Sequence, residues 1–429
     1  MPPPTTAPQP VGPDGVPAPQ TWLAIIDDRG AVAAVTANGE QRLTFSRPED
    51  RARGISATIP AWSRDGSRLA WAETDRAEGP SVVTSRLDRR ESTRDPLTVV
   101  PFYVSWNPTD THIAVLGSAS GGRAVGVSVS ELADRNSLPN ELDVAGSYYL
   151  SWAADGDRFL AHRAGQDLTV VDIRGRAATL VSPTGHHQAP VWLEDGRIIG
   201  VEATDRNRAL VIAPAGQVIG TVLETDLNVG MVFTADPTGR WLAIQALPTQ
   251  APADPITDPV RGSDGAEEIG EILIVDLSDG RVAWRTGKRG QAWLWSPDGQ
   301  SLLILTSEGP IGDGGEQLTL DSWVWNLPEA GSTEAPTQSV GVSFEPSERF
   351  LGQWLPFFDQ HVQDTTLWAP DSSGWTFAGV PQTESGPQRA GVYVVGADPG
   401  DEPVYVVPGE VSVWAPSAGG GGGAAPSPA

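Results

Sequence analysis

The sequence predicts an all-β chain folded as a single β-propeller of about eight four-stranded blades, with seven as the alternative count. Three observations carry the prediction. A Trp-x-Pro-Asp-Gly-like turn recurs along the chain, and each copy leads into a short apolar run. The copies lie about 40 to 46 residues apart where nothing is inserted, the length of four strands and their turns. Composition agrees: 16 Trp, 48 Gly and 38 Pro in 429 residues favour strands and tight turns over helices.

The copies are anchored by Trp62 (AWSRDG, then SRLAWAE), Trp106 (SWNP, then THIAVLG), Trp152 (SWAADG, then DRFLAHR) and Trp192 (VWLEDG, then RIIGVEA). A degenerate copy follows with Ala235 at the anchor position (ADPTG, then RWLAIQA), where Trp241 is expected to fill the missing volume. Trp295 (LWSPDG, then QSLLILT), Trp368 (LWAPD, then SSGWTFAGV) and Trp414 (VWAPS) complete the series. Trp supplies a large apolar anchor between blades. Pro sets φ at the start of the turn, Asp bonds back to the backbone, and Gly accepts positive φ. The apolar run is then a second strand covered on both faces.

The two ends are unequal. Residues 21–45 read as the second, third and fourth strands of a blade without a first. Residues 410–417 read as a first strand with nothing after it. Together they make one composite blade that joins the ends and hides a sheet edge. The propeller is therefore assigned to 21–417. Residues 1–20 form a Pro-rich linker and 418–429 a Gly/Pro/Ala tail.

The repeat resembles that of TolB-type, WD40-like propellers, most closely in WSRDGSRLAWAE and WSPDGQSLLILT, over about nine-tenths of the chain. The resemblance implies the fold. It implies interaction proteins of the periplasm or cell surface as well as the propeller caps of hydrolases, so it does not select a function.

Charge and motifs narrow the function. A net charge of −25 excludes the basic stripe that nucleic acid requires; Lys288 is the only lysine, and Lys288-Arg289 is a cluster of just two residues. No apolar window is long enough for a transmembrane helix. Cysteine is absent, which removes thiol chemistry and zinc ribbons. A linker such as 1–20 follows the lipidated cysteine of surface lipoproteins, so an extracytoplasmic, tethered protein is expected, with a cytoplasmic protein as the alternative. A G-x-S-x-G nucleophile elbow is missing; Gly117–Gly121 has Ala119 where the serine would stand.

Five histidines remain. His112 and His162 lie on second strands and read as structural. His186, His187 and His361 lie in connections between blades on one rim and read as exposed loop residues; no metal site is expected from them. The acidic stretch 254–271 reads as a solvated loop, with weak calcium binding as the only cofactor alternative. With 308–317 it decorates the same rim. On that rim, residues 350–361 (FLGQWLPFFDQH) place aromatics where a short connection is expected. They either plug the channel or form a partner-binding patch with Phe102, Tyr103, Tyr148 and Tyr149. The candidate partner-binding residues are Tyr148, Tyr149, His186, His187, Trp354, Phe357, Phe358, Asp359 and His361.

The leading expectation is a non-catalytic protein-binding or scaffold module. A propeller lyase or glycan-active enzyme with a His/carboxylate site at the channel mouth is the enzyme alternative. A structural subunit of a surface assembly is the third.

Overall fold

The computed structural model describes residues 21–416 apart from 47–53, 89–91, 120–124, 132–139, 146–147, 164–165, 249–269, 308–317, 329–333 and 383–387. The linker, the tail, the insertion 308–317 and all but the end of the stretch 254–271 thus lie outside the described residues. Among those described, the strands form eight consecutive antiparallel blades.

Blade 1 is composite. Its inner strand, Val411–Trp414, pairs with Trp22–Ile26 in the register Leu23↔Trp414 to Ile26↔Val411, and Val32–Thr36 and Arg42–Thr44 follow. The inner strand of blade 2 is interrupted. Pro60 cannot donate to the ladder, and pairing is split between Ser56–Ala57 and Ala61–Trp62. Blades 3 to 7 begin at Val100–Trp106, Tyr148–Trp152, Val191–Trp192, Val229–Ala235 and Ala292–Trp295. Second strands are buried through their interiors, as in Ser301–Ser307, whereas the outer strands Ser92–Pro96 and Arg281–Arg285 never bury a residue.

Five of the seven anchor tryptophans bond across blades. The indole N–H groups of Trp62, Trp106, Trp152, Trp295 and Trp368 donate to Val413 O, Ala61 O, Ser105 Oγ, Thr234 O and Leu294 O, each on the inner strand of the preceding blade. The turn that follows carries its strain on one residue. Gly66, Gly156, Gly196 and Gly299 have φ between +67° and +86°. Where glycine is missing, Asp110 (φ 57°) and Ser372 (φ 61°) occupy the same left-handed region.

Two expectations need correction. Trp241 does not fill the space beside Ala235. It packs with Trp284 and the Trp293/Trp295 cluster toward blade 7, while Ala235 borders the separate core between blades 5 and 6. Blade 8 is not four-stranded. Its inner position is reduced to the bridge Trp368↔Trp375, flanked by the backbone bonds Thr376 N–H to Leu367 O and Ala369 N–H to Gly374 O. The end of blade 7's outer strand, Thr337–Pro346, takes up the vacant stretch of Gly374–Pro381 through Phe344↔Pro381 and Pro346↔Gly379. Blades 7 and 8 therefore share one seven-stranded sheet.

Candidate functional site

The connection between blades 7 and 8 does not pass over the rim; it enters the channel. A wide helical turn Phe350–Trp354, a tight turn Leu355–Phe357 and one α-turn Phe358–His361 pack inward. Phe350, Trp354, Leu355 and Phe358 are buried. Polar groups tie this plug to blade after blade. Arg349 donates to Ala57 O (2.9 Å) and pairs with Glu410. The side-chain amide of Gln360 donates to Leu150 O and accepts from Leu150 N, both at 2.8 Å, in place of a neighbouring strand. Tyr103 donates its hydroxyl to Gln360 O, and Ser105 donates to Asp364 Oδ1. Ala189 N–H donates to Asp359 Oδ2 (3.0 Å), Gln363 reaches Pro190 O, and Phe358 meets the edge of Trp293 at 4.7 Å.

Of the sequence-selected residues, the structure buries Tyr148, His187, Trp354, Phe358, Asp359 and His361, and leaves His186 and Phe357 exposed. His187 and His361 are thus not exposed loop residues. His187 stacks on His162 at 3.6 Å between ring centroids, and the stack extends to Tyr149 (6.0 Å) and Phe233 (5.8 Å). His361 lies against Tyr103 and Trp354 and bonds Gln353 O. The three rim histidines do not converge. Among the described residues no His/Cys/Asp/Glu group is arranged to hold a metal ion. Desolvation lowers His162 and His361 to about 4 and takes His187 well below the ordinary imidazole value, so all three rings are neutral at pH 7. The same effect raises Asp359 to about 6, Asp364 well above the carboxylate range, and Tyr149 to about 12.

Among the described residues the plug borders at least three openings, one of about 280 Å³ lying toward blades 6 and 7 between Val232, Trp293 and Leu351. On the side of the blade connections, a cleft of about 410 Å³ runs between the plug and blades 3 and 4, lined by Phe102, Tyr103, Tyr148, Tyr149, Gln353 and Phe357. Phe102 and Phe357 stand at its lip, 44% and 42% exposed, beside Val100 at 53%. At the other end, beneath the Trp turns, lies a chamber of about 300 Å³. Sequence reasoning found the aromatics of the cleft. It missed Gln360, Asp364 and the chamber; a run of polar residues inside an aromatic connection was the only available hint.

No family model and no curated protein matches the chain. Solved structures do. A crystal structure of a eukaryotic initiation factor aligns over 93% of this chain and 99% of its own, at 11% identity and a TM-score of 0.52. The shared feature is the propeller fold. An oligogalacturonate lyase in complex with manganese (14% identity, 88% and 96% covered, TM-score 0.49) and TolB from Acinetobacter baumannii (12% identity, 85% and 82% covered, TM-score 0.36) are more distant in shape. At such identities the likeness extends to the fold alone. Among the described residues no helix is long and apolar enough to cross a membrane.

Proposed function

We propose that the protein is a non-catalytic binding module that docks an apolar segment of another protein in the cleft beside the plug. The observation that carries this reading is the exposure of Phe102 and Phe357 on either side of a cleft whose inner wall is fixed by the hydrogen bonds of Gln360 to Tyr103 and Leu150. Aromatic side chains in a concave, pre-organised wall are the usual anchors of protein recognition. The histidines that an active site at this mouth would need are spent on packing: His187 in a ring stack, His361 against Trp354. That use favours the binding module over the lyase reading. The Pro-rich composition of residues 1–20 supports a tether outside the cytoplasm.

Panning a phage-displayed peptide library on the immobilised protein tests the docking face. Sequences with one or two aromatic or large aliphatic anchors should be enriched. Phe102→Ser/Phe357→Ser, which alters only exposed rings, should abolish the enrichment. Equal enrichment on that variant would discard the face.

A further inference from the structure

The chamber under the Trp turns lies at the opposite end of the channel from the docking cleft and is built differently. Its walls are the indoles of Trp106, Trp152, Trp192 and Trp295 with Phe233, and its floor is Asp359, Gln363 and Asp364 from the plug. It opens where the repeat fails: Ala235 stands in the anchor position and lines the cavity, so the volume of an indole is left free. The exposed ion pair of Arg64 in blade 2 with Glu194 in blade 5 spans part of the mouth.

Two residues that line the chamber carry a buried polar atom without a hydrogen-bond partner, Thr234 Oγ1 and Asp359 Oδ1. Asp359 is only 2% exposed; its Oδ2 accepts from Ala189 N–H, while Oδ1 is buried without a hydrogen-bond partner. A buried carboxylate oxygen left unsatisfied costs stability unless a ligand completes it. Facing indoles favour a positive charge through their ring quadrupoles.

We propose that this chamber binds an organic cation, a guanidinium or alkylammonium group, with the charge against Asp359 Oδ1 and the apolar stem between Trp152, Trp192 and Trp295. Its volume is at the lower end of the range for small-molecule sites, about 300–1,000 Å³. The strongly acidic chain draws cations toward it. The charged groups lining the chamber are Arg64, Glu194, Asp236, Asp359 and Asp364, and Tyr149 acts on Asp359 from blade 4. Arg64 is neutralised by Glu194, and Asp236 is held by Thr238 and the backbone N–H of Trp241. Asp364 accepts from the Ser105 hydroxyl, which leaves Asp359 as the lining carboxyl with a buried, unpartnered oxygen. Because burial raises its carboxyl to about 6, an incoming cation must favour the ionised form and expel the proton.

Isothermal titration calorimetry with butylguanidinium, its neutral isostere butylurea, and the peptide Gly-Arg-Gly tests the site. Butylguanidinium should bind one per chain and butylurea at least tenfold more weakly. Affinity should rise close to tenfold per pH unit up to about pH 6 and then level off. Near pH 6 the heats in buffers of different ionisation enthalpy should show proton release. Asp359→Asn keeps an acceptor for Ala189 N–H and should weaken butylguanidinium at least tenfold at pH 7.5. Binding of the peptide as well would identify an arginine side chain as the guest; binding of butylguanidinium alone would identify a free amine or guanidine. Equal binding of butylurea, or an affinity indifferent to pH between 5 and 7 in the unmutated protein, would overturn the proposal whatever the variant does.

Discussion

At the scale of single residues, three buried histidines, His162, His187 and His361, are held in their neutral forms by desolvation. His361 shows the consequence most cleanly. Its ring is buried against Trp354 and Tyr103 and takes a proton only near pH 4, whereas an unfolded imidazole does so near 6.5. Between those values the unfolded chain binds a proton that the native state refuses, so stability is present above 6.5 and is lost as pH falls toward 4. Relative to His361→Gln, the unmutated protein should lose about 3 kcal/mol over that window, as read from urea denaturation at successive pH values. A constant difference between the two would show that the ring is not desolvated. Asp359 works in the opposite sense over an overlapping range, because its raised carboxyl favours the native state at low pH. Comparison with a variant isolates one group, whereas a raw pH profile would mix them.

The element that matters most is the plug. Trp354 is fully buried within it and Phe357, three residues on, is 42% exposed. Trp354→Ala should therefore cost about 3–5 kcal/mol, and Phe357→Ala about 0.5 kcal/mol or less, both measured by chemical denaturation. Similar costs for the two would mean that the helical turns do not seat as described. The contrast also marks what could be read from sequence. The Trp turns were legible because each is decided locally, by a turn of four or five residues and one indole. That 350–361 was an aromatic anomaly was legible too. Its course into the channel was not, because Gln360 and Asp359 owe their positions to Leu150 and Ala189, far away in the chain. The same reason explains Ala235. A missing indole is visible in the sequence, but whether Trp241 turns toward that gap or toward blade 7 depends on packing that no local pattern encodes.

For the whole molecule, the decisive contact is between its ends. Removing residues 411–416 would strip blade 1 of its inner strand and expose the backbone edge of Trp22–Ile26. It would also take Val413 O from the indole of Trp62 and Ser412 from Thr376. The truncated chain should self-associate and melt less cooperatively than the full chain, as followed by light scattering on a sizing column and by thermal denaturation. A monodisperse, cooperatively melting product would show that blade 1 needs no help from the far end. The plug adds a demand of timing. Synthesis proceeds at roughly 5–20 residues per second, so Leu150 and Ala189 are made roughly 8–40 seconds before Gln360 and Asp359. The first blade waits longer still for its inner strand. A nascent chain can thus assemble individual blades as they emerge, but its central packing and its seam both wait for segments translated well after the blades they complete.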